Sequence, residues 1–101
     1  MAIELVNNAN IQGLDIKMRP AMVIAGRLWE AHGHPLTITC GLNGEHSAGS
    51  LHYYGRAIDL RTNFWEADVK QKVYMELRDQ LPTGYDVVQH TTHIHIEYDP
   101  R

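Results

Sequence analysis

The chain has one cysteine, no long apolar run and no cluster of basic residues. A single cysteine rules out an internal disulfide, so the fold must stand on its packed core. Alternation in Leu36-Thr37-Ile38-Thr39-Cys40 groups Cys40 with Leu36 and Ile38, as a small buried apolar thiol. No stretch approaches the ~20 apolar residues that a helical membrane span requires. The formal net charge is −3, and basic and aromatic residues do not interleave, which argues against nucleic-acid binding by bulk electrostatics. Met1-Ala2-Ile3-Glu4-Leu5 lacks the basic region and apolar core of a secretory signal. The expectation is a protein that is cytoplasmic when made. Work on a cell wall would then follow release by another agent, or carriage in a virion.

What remains is the composition of an ordinary globular protein. With 101 residues, 44% of them hydrophobic, the chain is read as one domain spanning 1–101. A chain of that size buries about two-thirds of its unfolded surface, enough for a modest core without staples. There is no internal repeat and no low-complexity linker. A monomer is expected.

Periodicity places the elements. Ile3 to Leu5 is a weak strand, followed by a turn-rich Asn7-Asn8-Ala9-Asn10. A first helix starts near Arg19, with Pro20 in its first turn and Ala21, Ile24, Ala25 and Leu28 at helical spacing. Gly33 and Pro35 stop it, and His32 and His34 at that stop read as structural. Leu36 to Cys40 is a strand, residues 41–51 a loop, and Arg56 to Leu60 a second strand. Asn63-Phe64-Trp65-Glu66 reads as a capping box opening a second helix. Its core stripe is Val69, Val73, Leu77 and Leu81, with Lys70, Lys72, Glu76, Arg78 and Asp79 on the wet face. Tyr85 to Val88 and His93 to Tyr98 form a hairpin about His90-Thr91-Thr92. The predicted class is α+β: a small, mainly antiparallel sheet carrying two helices.

Seven histidines are many for this length. Five of them, His46, His52, His90, His93 and His95, flank or fill two stretches: Ser50-Leu51-His52-Tyr53-Tyr54-Gly55-Arg56-Ala57-Ile58-Asp59 and His93-Ile94-His95. In a strand, Ile94 and Ile96 face one way and His93 and His95 the other. Asp59, between Ile58 and Leu60, obeys the same rule. Two imidazoles and a carboxylate are a usual ligand set for a catalytic zinc that keeps its fourth position for water. His-x-His alone is weak evidence for a metal, but Ser-x-His-x-x-Gly-x-Ala-x-Asp beside it makes chance convergence much rarer. The ligands would come from a loop and strands, unlike the helical His-Glu-x-x-His of many zinc proteases.

Those two stretches resemble the zinc D-Ala-D-Ala carboxypeptidase and L-alanyl-D-glutamate endopeptidase family, the Hedgehog/DD-peptidase fold. Its relatives include bacterial cell-wall enzymes, phage endolysins and the Hedgehog signalling domain. Glu45-His46-Ser47 through Asp59 is especially similar to Hedgehog. The resemblance runs from about Leu36 to Tyr98. It implies that His52, Asp59 and His95 bind Zn2+, with Ser50 bracing a ligand and His93 not a ligand but either bracing one or steadying the transition state. It implies a metallopeptidase acting on the peptidoglycan stem peptide, at a bond involving a D-amino acid. Its short single-domain form suits a phage origin.

Two departures qualify what is carried over. Many members have an acidic base three residues before the last ligand, and here that position is Thr92. Hedgehog-like members carry a Glu six residues before it, and here that is Gln89. One carboxypeptidase branch uses a His five residues before the ligand, and His90 matches. An imidazole is a competent proton acceptor, so His90 is expected as general base, with His93 and His46 stabilising the developing oxyanion. A substrate-carboxylate arginine is also missing from Thr39-Cys40-Gly41-Leu42-Asn43. Arg56, Arg61 and Arg27 are the candidate substitutes. The alternative reading is a zinc-containing, Hedgehog-like binding module without turnover.

Overall fold

In the first helix, apolar side chains return every three or four residues. Met18, Ala21, Ala25, Leu28 and Trp29 share one face of α1 (Met18–Ala31), and all are buried. Asp15 receives the chain into the helix: its side chain accepts the Lys17 N–H at 2.9 Å and its carbonyl the Met18 N–H at 2.9 Å. Gly33, at φ 89°, turns the chain out of the helix. His32 and His34 are structural at this end. His32 Nε2 donates to Glu76 at 3.0 Å, and the His34 ring stacks on Phe64 at 4.0 Å.

The computed structural model describes residues 3–5, 14–40 and 55–100. Among them are five strands: β1 (Ile3–Leu5), β2 (Leu36–Cys40), β3 (Ala57–Arg61), β4 (Tyr85–Gln89) and β5 (His93–Tyr98). The second helix is α2 (Ala67–Gln80). The sheet order is β1-β2-β3-β5-β4. β1 runs parallel to β2, and every other pairing is antiparallel. The α+β class and the mainly antiparallel sheet are as expected.

Both helices lie on one face. Leu36, Ile38, Ile58, Leu60, Ile94 and Ile96 point into that layer and meet Met18, Trp29, Val73 and Leu77. Each such side chain contributes about 1.5–3 kcal/mol by leaving water. Trp29 and Trp65 pack at 5.2 Å and both indoles are satisfied, Trp29 donating to the Arg61 carbonyl at 2.9 Å and Trp65 to that of His32 at 3.1 Å.

Two expectations need correction. The second helix does not open on an Asn63 capping box. It begins at Ala67, with Glu66 as an extended N-cap that makes no side-chain cap bond. Residues 62–65 form a turn closed by Trp65 N–H to the Thr62 carbonyl at 3.0 Å. Burying the Trp65 indole outweighs the small gain of an earlier cap. The alternation in β2 is also broken: Ile38 pairs with Leu60 but Cys40 with Asp59, a one-residue irregularity. The Cys40 side chain lies outside the described residues. Among the described residues, no helix is long and apolar enough to cross a membrane.

Candidate metal centre

The alternation of β5 buries Ile94 and Ile96 and leaves His93, His95 and Glu97 on the helix-free face. In β3, Ile58 and Leu60 are buried and Asp59 and Arg61 face the other way. The register then decides which side chains meet: Asp59 stands opposite His95, and Arg61 opposite His93. Directly opposed side chains in an antiparallel pair lie close enough to touch.

They do touch. Both His95 ring nitrogens meet a carboxylate at hydrogen-bond distance, Nδ1 with Asp59 Oδ1 at 2.8 Å and Nε2 with Glu97 Oε1 at 2.8 Å. The three side chains are 18%, 17% and 25% exposed, so water screens these contacts only in part. The Asp59 hydrogen bond pushes the His95 pKa above its ordinary value. Burial opposes that shift, and Glu97 adds to it. Glu97 also stands with Asp86 and Asp99, their carboxylate oxygens within 4.8 Å of one another. That side of the centre is strongly negative.

The second half of the site is the β4–β5 turn. The His90 and His93 rings stack at 4.5 Å and 21°. His90 N–H donates to the His93 carbonyl at 2.9 Å, and Thr92 Oγ1 shares a 3.2 Å hydrogen bond with His93 Nδ1. Lys70 of α2 and Thr62 after β3 donate to the Thr91 and Thr92 carbonyls at 2.8 and 3.0 Å. The turn is therefore held from two sides. His46, Ser50 and His52 lie outside the described residues.

Asp59 and His95 fit a zinc ion. Their chemistry is right: imidazole nitrogen and carboxylate oxygen are ordinary zinc donors. With bonds of about 2.0–2.1 Å, tetrahedral donors stand roughly 3.3 Å apart, about 0.5 Å more than the 2.8 Å seen here. Glu97 supplies what a ligating histidine usually has, a carboxylate on its other ring nitrogen. Sequence reasoning missed Glu97. The signal was available, since Glu97 follows His95 by two and strand alternation puts both on one face.

The family model for the Hedgehog amino-terminal signalling domain matches residues 28–98. The chain belongs to this family. The match begins in the last turns of α1 and ends with β5, so the Hedgehog-type region takes in Asp59, His90, His93, His95 and Glu97. It also spans His46 and His52. A comparison with curated proteins finds no match.

Proposed function

We propose that this Hedgehog-type domain is a zinc metallopeptidase that hydrolyses a peptide bond in the peptidoglycan stem peptide, with His52, Asp59 and His95 as the metal ligands. The observation that carries the reading is the contact of Asp59 with His95 across β3 and β5, with Glu97 behind the ring. A bound zinc supplies Lewis acidity, which makes water more acidic and polarises a carbonyl.

The chain's own groups do the rest. His90, exposed on the β4–β5 turn, accepts a proton from the attacking water. His93, ordered by the His90 ring and by Thr92, donates toward the oxygen on which negative charge develops, together with His46. Glu97 accepts the His95 Nε2–H and so aims Nδ1 at the position shared with Asp59. The setting we propose is a phage or bacterial cell-wall lytic enzyme that works as a monomer after release or within a virion.

Zinc-loaded protein should release new amino groups from purified peptidoglycan, and absence of release would overturn the proposal. His90→Ala should lower turnover by about 10²–10⁴-fold while zinc content stays unchanged. Full activity in that variant would remove His90 from its role. Glu97→Ala should weaken zinc retention by about 10–100-fold in a chelator competition. Unchanged retention would mean that Glu97 does not hold the ring.

Two observations favour a second reading, a zinc-holding binding module without turnover. The two positions where acidic bases are usual hold Thr92 and Gln89, and the matching family model is that of a signalling domain. That module would bind the same muropeptides and leave them intact.

A further inference from the structure

β4 is an edge of the sheet, with β5 on one side and no strand on the other among the described residues. In an antiparallel ladder a residue's N–H and C=O point to the same side, and that side alternates along the strand. The two ends of the β4–β5 pairing fix the phase. Asp99 N–H donates to the Gly84 carbonyl at 2.8 Å, and His90 N–H to the His93 carbonyl at 2.9 Å. Gly84, Asp86, Val88 and His90 therefore turn their backbone groups toward β5. Tyr85, Val87 and Gln89 turn theirs outward, where they have no backbone partner among the described residues. The opposite edge, β1, has only three residues.

The two faces beside this free edge differ. On the helix side, Tyr74, Arg78, Leu81 and Val87 line a groove of about 690 Å³. Tyr74, Leu81, Tyr85 and Val87 are half-buried there and pack on the core from its rim. Arg78 sits over the Tyr74 ring at 5.6 Å. On the other face Asp86 and Val88 are exposed. Asp86, Glu97 and Asp99 bring their carboxylate oxygens within 4.8 Å of one another.

We infer that the free edge of β4 takes up an extended strand of a partner protein whose residues alternate between apolar and basic. Backbone hydrogen bonds to Tyr85, Val87 and Gln89 attach it. Its apolar side chains enter the groove beside α2, and its lysine or arginine side chains lie over the carboxylates. A second copy of this chain fits worse. Antiparallel pairing of two β4 strands about Val87 sets the two Asp86 residues diagonally opposite, about 7–8 Å apart, acid against acid. A charge on an edge strand guards against such self-pairing, and a basic strand turns the same charge into an attraction. Nothing in this docking requires zinc or turnover.

The probe is the peptide acetyl-Lys-Val-Lys-Val-Lys-Val-Lys-amide, titrated into the full-length chain and followed by NMR. It should bind saturably, shift the amides of β4 and α2, and bind more weakly as salt rises. Its analogue with glutamate for lysine should bind about tenfold more weakly or worse, and Asp86→Lys, an exposed change, should narrow or reverse that difference. Methylating the valine nitrogens should abolish binding if the strand adds antiparallel, and methylating the lysine nitrogens if it adds parallel. The other set should be tolerated, because those N–H groups face away. No saturation by about 1 mM, equal binding of the two charge forms, the same response to both methylated sets, shifts that spare β4, or self-association through β4 would each overturn the inference.

Discussion

His95→Ala should strip the domain of its zinc and of any hydrolytic activity with it. The proposed ligands come from distant parts of the chain, and Asp59 and His95 are the two the described fold brings together, at 2.8 Å. Removing the imidazole takes away one donor and the group that bridges Asp59 and Glu97. The loss of affinity should therefore exceed the 10–100-fold typical of losing a group that merely supports a ligand. Equilibrium dialysis followed by metal analysis gives the answer directly. A variant that keeps one zinc per chain at wild-type affinity would remove His95 from the ligand set.

The same residue should make metal binding sensitive to pH. A ligating histidine must give up its second proton, so zinc affinity should fall as pH falls. In the metal-free chain the sign for stability is opposite. Asp59 first, and Glu97 with it, raise the His95 pKa above the ordinary 6.5. That stabilisation is fully present below the unfolded value of 6.5 and is lost as pH rises through the folded one. The metal-free wild type should thus lose part of its stability on the alkaline side of 6.5, and His95→Ala should flatten that decline.

Trp29→Ala should cost about 3–5 kcal/mol, the usual penalty for emptying a large buried aromatic site. Trp29 is 0% exposed and packs on Trp65 at 5.2 Å. Its indole also donates to the Arg61 carbonyl, at the end of the strand that presents Asp59. A domain of this size has only about 5–15 kcal/mol to lose, so the variant should stand near its unfolding threshold. Trp29→Phe keeps most of the volume and removes the hydrogen bond, so it should cost about 1 kcal/mol for the bond plus a smaller packing loss. Urea unfolding separates the two, and an alanine variant within about 0.5 kcal/mol of wild type would contradict the packing argument.

Much of this was legible in the chain itself, for a physical reason. Side-chain direction follows from backbone period. Ile58 and Leu60 sort from Asp59, and Ile94 and Ile96 from His93 and His95, by an alternation of two. Val73 and Leu77 sort onto the core face of α2 by the helical repeat. The start of α2 was misread because Asn63 and Glu66 carry a local cap signal, whereas the Trp65 indole answers to a distant carbonyl at His32. A short motif reports on its neighbours in the chain and is blind to what packs on it from elsewhere.

The residues alone determined the fold class, the faces of the strands and helices, and the supply of imidazoles and carboxylates. Tertiary structure decided the register. It set Asp59 opposite His95 and Arg61 opposite His93, and recruited Glu97 to the far side of the His95 ring. Alternation repeats every two residues, so any even shift of one strand along its neighbour keeps every side chain on its proper face. Choosing among those shifts falls to tertiary packing, where the buried residues of β3 and β5 join one core cluster with those of the helices.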